Sequence, residues 1–126
     1  MTTTEITEAG LAAVIEGNDI VFLDFWAAWC GPCRAFAPVF EHASHVHPDI
    51  VFGKVDTESE QSLAAAFQIR SIPTLMIFRE GILVFSQAGA LAASQLDQLI
   101  DAVRTLDMDA VRAEVDRIDQ EAEVAR

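Results

Sequence analysis

The chain has 126 residues and a mass of 13.7 kDa, and about half of its residues are hydrophobic, so we expect one domain with a single core. The formal net charge of −12 and the pI near 4.3 argue against nucleic-acid and anionic-membrane partners, because both attract clustered lysine and arginine. The first residues do not follow the signal-peptide pattern, and the apolar runs are shorter than a membrane span. We therefore expect the protein in the reducing cytoplasm.

Apolar runs alternate along the chain with segments of helical periodicity, which is typical of β-α-β units. The runs 20–27 and 50–55 are apolar on both faces and predict central strands covered by helices. In chain order we predict a minor strand near 2–6, a helix, strand 20–27, a helix that begins after Cys30 and bends at Pro38, strand 50–55, a helix from 59 or 60 to 67, strands 74–78 and 82–86, and a helix at 91–103. The pattern indicates an α/β fold.

Side-chain spacing adds detail to these elements. Gly81 lies between the last two strands, where a tight hairpin needs a positive φ. The side chains expected to face inward from the two helices at 59–67 and 91–103 are Leu63, Ala66, Phe67, Leu96, Leu99, Ile100 and Val103.

In residues 106–126 apolar side chains recur at helical spacing among many acidic ones. This pattern predicts an amphipathic acidic helical extension that follows residues 1–105. Its apolar stripe, at steps of three and four, consists of Met108, Val111, Val115, Ile118 and Ala122. The acid-before-arginine pairs Asp109–Arg112, Glu114–Arg117 and Glu123–Arg126 each support the helix by roughly 0.2–0.5 kcal/mol. A helix that simply continued the preceding one would project about 30 Å and leave the stripe uncovered. Folding back, self-association and fraying stay open, and we expect a monomer, with a weak dimer through this helix as the alternative.

The only two cysteines lie two residues apart in Cys-Gly-Pro-Cys, where a strand gives way to a helix. Cys30 should therefore lie near unpaired backbone N–H groups and the positive end of a helix dipole, which favours the thiolate that attacks a disulfide. Cys33, one turn later, faces the protein and resolves the mixed disulfide. Pro32 suits the first turn of a helix, and Gly31 leaves the backbone open to a substrate.

Half of a zinc site is the other interpretation of two cysteines at this spacing. Zinc needs two further ligands, and the chain has no second such pair. The only imidazoles belong to His42, His45 and His47, which are expected toward the far end of the helix that Cys33 begins. We therefore expect no metal.

Asp24 interrupts a strand that is otherwise apolar, so its burial should raise the pKa of its carboxyl group. Lys54 interrupts the neighbouring strand and would offset part of the desolvation cost. We expect Asp24 to accept a proton from Cys33 through a water molecule as Cys33 becomes the second nucleophile. A structural buried ion pair, or an acid at an exposed strand end, is the alternative.

Together FWAAWCGPC, the acid before it, the lysine strand and RSIPT resemble bacterial thioredoxin over about residues 4–105. The resemblance implies the thioredoxin fold, in which helices flank both faces of a central mixed sheet of four to five strands, here with an extra C-terminal helix. It implies that Ile72 and Pro73 form the cis-proline loop against the active-site turn, although an ordinary turn before a strand is the alternative.

The resemblance also implies an apolar docking rim around the cysteines. Its members are Trp29, Gly31, Pro32, Ile72, Gly89 and Ala90, although Gly89 can equally be a plain turn residue. Trp29 is expected to be partly exposed and Trp26 to pack inside, where its indole N–H needs a partner. Ala28 and Arg34 depart from the common family pattern near this rim, which affects the choice of partner and not the chemistry.

What the resemblance implies for function is a protein-disulfide reductase that a thioredoxin reductase re-reduces, with disulfide-containing proteins as substrates. The Cys30–Cys33 pair is the redox carrier, and no other cofactor is expected. A disulfide oxidase or isomerase is disfavoured because such relatives usually carry histidine between the cysteines. A binding module that uses Trp29, Pro32, Pro73 and the acidic tail is the alternative from a different class.

Overall fold

The computed structural model describes residues 2–125 as a central sheet with helices on both faces. The five strands are β1 (Thr4–Glu5), β2 (Ile20–Trp26), β3 (Val51–Asp56), β4 (Thr74–Arg79) and β5 (Ile82–Ala88). The five helices are α1 (Glu8–Gly17), α2 (Gly31–Val46), α3 (Gln61–Ala66), α4 (Ala93–Arg104) and α5 (Met108–Val124). The predicted order of elements is confirmed, and the predicted bounds agree with the observed ones to within two residues.

The sheet is mixed and has the strand order β1-β3-β2-β4-β5. Strands β1 and β2 both pair with β3 in parallel, whereas β4 pairs antiparallel with β2 and with β5. The β4–β5 hairpin turns at Glu80 and Gly81, both with positive φ, as the glycine predicted. The fold class expected from the sequence is confirmed.

Period-two alternation along the strands separates two apolar cores, one on each side of the sheet. Helices α2 and α4 cover one side, where Phe22 and Phe52 meet Phe36, Phe40 and Ile100. Helices α1 and α3 cover the other side, where Leu11 and Leu63 pack against the side chains that point the opposite way from the same strands. Because both faces are covered, the central strands contain almost no exposed residue, which explains their uninterrupted apolar runs.

Gly53 in β3 lies close to side chains at both neighbouring strands of the sheet. A Cβ at this position would lie 2.6 Å from Cγ1 of Ile6 and 3.0 Å from Cδ2 of Leu23, so only glycine fits without displacement.

One predicted inward residue is wrong. Ala66 is exposed: it is the last residue of α3, which buries Leu63 alone, and Phe67 beyond it is half-buried. The other helix behaves as expected: Leu96, Ile100 and Val103 are buried in α4, and Leu99 packs against their core. Pro38 lies inside α2, as the sequence required.

The extension does not continue α4. The chain leaves the helix at Thr105, and Asp107 caps α5 by accepting the N–H of Ala110 at 3.2 Å. Met108 is buried, and Arg112 forms an ion pair with Glu80 in the β4–β5 turn, so the first turns of α5 fold back onto the sheet.

Farther along α5 the apolar stripe becomes exposed. Val111 and Val115 are half-buried, whereas Ile118 is 51% exposed and Ala122 is exposed. The predicted pairs Asp109–Arg112 and Glu114–Arg117 form, and the third, Glu123–Arg126, lies outside the described residues.

Candidate active site

The cysteine turn connects β2 to α2 through residues 27–30. Cys30 is the N-cap of α2, and its Sγ accepts the backbone N–H of Cys33 at 3.2 Å. The two cysteines form a disulfide, with their Cα atoms 5.2 Å apart. Pro32 occupies the first turn of the helix, where a missing N–H leaves no hydrogen bond unmade. The sulfur of Cys30 therefore lies at the positive end of a 16-residue helix, as predicted.

Both sulfurs belong to residues with little exposed surface. Cys30 is 4% exposed and Cys33 is 3% exposed, and they pack with Ala27 against Trp26 and Ile72. Exposure alone does not distinguish the two roles. The two residues differ in their hydrogen bonds, because Sγ of Cys30 accepts a backbone N–H at the start of the helix.

Asp24 lies on the side of the sheet that α2 covers, because it alternates in step with Phe22. The residue is 1% exposed, and neither carboxylate oxygen has a hydrogen-bond partner among residues 2–125. Burial raises the pKa of Asp24 to about 7, although the neighbouring Lys54 acts to lower it. The sequence predicted the direction of this change, and the structure places the acid on the side of the sheet that α2 and α4 cover.

Lys54 lies opposite Asp24 in the β2–β3 register and on the same side of the sheet as Phe52. Its Nζ lies 4.5 Å from the ring centroid of Trp26, so the ammonium group contacts the aromatic face, and it acts on Asp24 through its charge and not through a hydrogen bond. Trp26 is half-buried, and its indole N–H finds no acceptor among the residues described. The predicted partner for that N–H is therefore not seen among these residues, and the contact with Lys54 is made by the ring face.

A second loop approaches the cysteines from the start of β4. The Ile72–Pro73 peptide bond is cis, and the carbonyl oxygen of Ile72 lies 3.6 Å from Sγ of Cys30. The N–H of Gly89, a residue with φ of 107°, donates to the carbonyl of Pro73 at 2.8 Å. This bond continues the β4–β5 pairing one position beyond Thr74 and Ala88, and it holds the loop at Gly89 beside the loop at Pro73.

The predicted rim surrounds these loops. Trp29 is 67% exposed, which is the largest exposed aromatic surface among residues 2–125. Gly31, Pro32, Gly89 and Ala90 are also exposed. Ile72 is half-buried, whereas Pro73 is buried and supports the loop from below.

The sequence placed Arg34 near the rim but did not predict where its side chain lies. Its Nη1 donates to the carbonyl of Ala28 at 3.0 Å, and its Nη2 lies 3.9 Å from the position that a Cβ on Gly31 would occupy. The guanidinium therefore lies along the cysteine turn itself. No signal in the sequence gives the direction of an exposed arginine side chain.

The histidines lie at the opposite end of α2, as expected. His42 and His45 belong to its last turns. His47 follows the helix, and its Nδ1 lies 3.1 Å from Nη2 of Arg104. Within residues 2–125, no three His, Cys, Asp or Glu side chains form a group that can hold a metal ion. In the same range no helix combines the length and apolarity needed to cross a membrane.

Comparisons with known proteins give one consistent family. The thioredoxin family model matches residues 2–102. A thioredoxin 2 relative from Streptomyces coelicolor is 52% identical over 113 residues, which are 90% of this chain and 84% of that protein. A thioredoxin from Mycobacterium bovis is 40% identical over 107 residues, which are 82% of this chain and 92% of that protein.

Solved structures agree with the sequence matches. A mutant thioredoxin from Halobacterium salinarum is 33% identical, with a TM-score of 0.76 over 82% of this chain and 92% of that chain. The match to the Streptomyces protein spans 90% of this chain, and a stretch of that length cannot end before residue 113. That relative is therefore similar to this chain into the first turns of α5 as well.

Proposed function

This chain belongs to the thioredoxin family and is a thiol–disulfide oxidoreductase, and we propose that it reduces protein disulfides with Cys30 as the attacking residue and Cys33 as the resolving one. The observation that carries this assignment is the helix cap: Sγ of Cys30 accepts the N–H of Cys33 at the start of α2. Members of this family work with a thioredoxin reductase and with disulfide substrates. We propose the same two partners for this chain.

The exchange proceeds in two substitutions at sulfur. The Cys30 thiolate attacks one sulfur of the substrate disulfide, a mixed disulfide forms, and the other substrate sulfur leaves as a thiolate. The Cys33 thiolate then attacks Sγ of Cys30, which forms the Cys30–Cys33 bond and releases the second substrate thiolate. Two electrons pass from the cysteine pair to the substrate. The reductase returns two electrons to the pair and restores both thiols.

Asp24 takes the proton that Cys33 must lose before the second substitution. A carboxyl group with a pKa of about 7 exchanges protons readily near neutral pH, which suits a general base. A water molecule carries this proton from Cys33 to Asp24 on the side of the sheet that α2 covers. Lys54 sets the electrostatic environment of Asp24 and limits the rise in its pKa.

The substrate docks against the rim formed by Trp29, Gly31, Pro32, Ile72, Gly89 and Ala90. The exposed indole of Trp29 supplies apolar contact area next to the cysteine turn. An extended substrate segment pairs with the backbone of Ile72, whose carbonyl lies 3.6 Å from Sγ of Cys30. Pro73 positions this loop.

The electrons travel on the cysteine pair alone, so the activity needs no metal and no bound nucleotide. We propose that residues 1–105 are the thioredoxin domain and that residues 106–126 are an acidic helical extension. Helix α5 of this extension contacts the β4–β5 turn through the ion pair between Arg112 and Glu80. We propose a monomer in solution, without nucleic-acid or membrane partners. A dithiol that donates electrons works in a reducing compartment, which is why we place the protein in the cytoplasm.

The test couples a thioredoxin reductase and NADPH to the reduction of insulin, with Cys30→Ser and Cys33→Ser compared side by side. Each variant removes one thiol, and both should lose turnover. Only Cys33→Ser should accumulate a mixed disulfide with the substrate, visible as an added mass that a reductant removes. Turnover by Cys30→Ser, or trapping by Cys30→Ser in place of Cys33→Ser, would refute the assigned roles.

A further inference from the structure

The basic side chains are unevenly distributed on this acidic protein. Of the eight lysines and arginines, seven lie within residues 2–125. Those that form ion pairs with carboxylates are Arg79, Arg104, Arg112 and Arg117. Lys54 is directed inward, onto Trp26. The two cations that remain are Arg34 and Arg70, and neither forms an ion pair with any residue from 2 to 125.

Arg34 carries its charge beside the cysteine turn. The residue is exposed, and the hydrogen bond from its guanidinium to the carbonyl of Ala28 fixes one edge of the group. The other edge, at Nη2, lies over Gly31 and remains available to a ligand. A guanidinium with a free edge binds a carboxylate through paired N–H donors.

Arg70 carries its charge on the β4 side of the same rim. The residue is exposed and lies two positions before Ile72, whose carbonyl approaches Sγ of Cys30. The acidic side chains at this end of the sheet are on the other side of β2, in the turn after β3, where Asp56 and Glu58 lie. The rim is therefore cationic toward β4 and acidic toward β3.

We propose that Arg34 and Arg70 determine substrate specificity by favouring disulfides flanked by acidic side chains. This inference rests on the proposed function, because it concerns which disulfides the same cysteine pair reduces. The net charge of −12 repels acidic substrates at long range, but salt screens charges beyond about 10 Å at 0.1 M. At contact the two nearby guanidinium groups dominate, so they distinguish acidic from basic flanks.

The test uses three disulfide-cyclised peptides that differ only in the residues beside the cysteines, which are Glu, Gln or Lys. The protein is reduced beforehand and freed of reductant, and the rate of peptide reduction is measured directly. No reductase is present, so its own recognition of the arginines does not enter. Dividing each rate by that of the Gln-flanked peptide for the same variant removes any general loss of reactivity.

For the wild-type protein we expect the Glu-flanked peptide to be reduced on the order of 10-fold faster than the Lys-flanked one at an ionic strength of about 0.1 M, where the net charge of the protein is screened. Arg34→Gln and Arg70→Gln should each lower this ratio by about 2- to 4-fold, and the double variant should bring it to about 2 or less. Arg117→Gln is the matched control, since it removes the same charge from α5. It should leave the ratio within about 1.5-fold of wild type.

Three results would overturn the inference: a wild-type ratio near one, a ratio that survives in the double variant, or an equal loss in Arg117→Gln. Each of these leaves the proposed function intact as long as the Gln-flanked peptide is reduced. If the wild-type protein reduces none of the three peptides, the proposed function itself fails and the inference fails with it. Arg34→Lys refines the result, because a retained ratio indicates charge and a lost ratio indicates the planar guanidinium.

Discussion

Replacing Asp24 with asparagine should stabilise the protein, and by an amount that depends on pH. The carboxyl group is buried, so its pKa rises from 3.8 to about 7 in the folded state. The folded protein therefore keeps this proton over a range in which the unfolded chain has already released it. Because the folded state binds more protons between pH 4 and pH 7, its stability falls as the pH rises through that window.

The magnitude follows from the two pKa values. The gap between 3.8 and about 7, at about 1.4 kcal/mol for each pKa unit, corresponds to about 4 kcal/mol of destabilisation once the pH exceeds 7. Below pH 4 the ionisation contributes almost nothing, because the group is protonated in the folded protein and largely so in the unfolded chain. Asparagine has the shape of the protonated acid and does not ionise, so it removes the pH-dependent part of the destabilisation.

Urea unfolding of the oxidised protein, followed by circular dichroism at pH 4 and pH 8, measures this difference. The disulfide is kept intact so that Cys33 does not titrate in the same range. Asp24→Asn should gain about 4 kcal/mol more at pH 8 than at pH 4, whereas Asp97→Asn, on the exposed surface of α4, should change by less than about 0.5 kcal/mol at either pH. An equal effect of Asp24→Asn at both pH values would refute the reasoning.

Three further substitutions test the packing and the rim. Gly53→Ala places a Cβ within 2.6 Å of a core side chain and should lower the free energy of unfolding by about 1–3 kcal/mol in urea, whereas Gly17→Ala, with open space around it, should not destabilise. Met108→Ala should lower the free energy of unfolding by about 2 kcal/mol, because Met108 at the start of α5 is buried. Ile118→Ala, on the exposed part of the same helix, should lower it by less than about 1 kcal/mol. Trp29→Ala should raise KM for insulin and leave the urea midpoint unchanged, because the side chain is 67% exposed; a shifted midpoint with an unchanged KM would contradict a docking role.

The sheet was predictable because its central strands are covered on both faces. Every residue from Ile20 to Phe25 is buried, so the strand reads as an uninterrupted apolar run except at Asp24. That one exception identified the buried acid. The cysteine turn was predictable for a similar local reason, because the strand-to-helix transition and Pro32 both locate the start of α2.

Other features depend on contacts that no local pattern encodes. The break between α4 and α5 is stabilised from a distance: Nη1 of Arg79 in β4 donates to the carbonyls of Val103 at 2.7 Å and Arg104 at 3.1 Å. The apolar stripe of α5 predicted a helix but not where its first turns would rest. Ala66 was assigned inward because it lies three residues after Leu63, and helical spacing does not reveal which positions of a short helix the core covers.

The most direct test of the account is the titration of the Cys30 thiol. In reduced Cys33→Ser only one thiol remains, and its rate of alkylation by iodoacetamide across a pH series gives the pKa. The helix cap predicts a pKa clearly below the value of about 8.5 for an ordinary thiol, and a return to that value when the protein is unfolded in denaturant. A pKa at or above about 8.5 in the folded protein would contradict the assignment of Cys30 as the attacking sulfur.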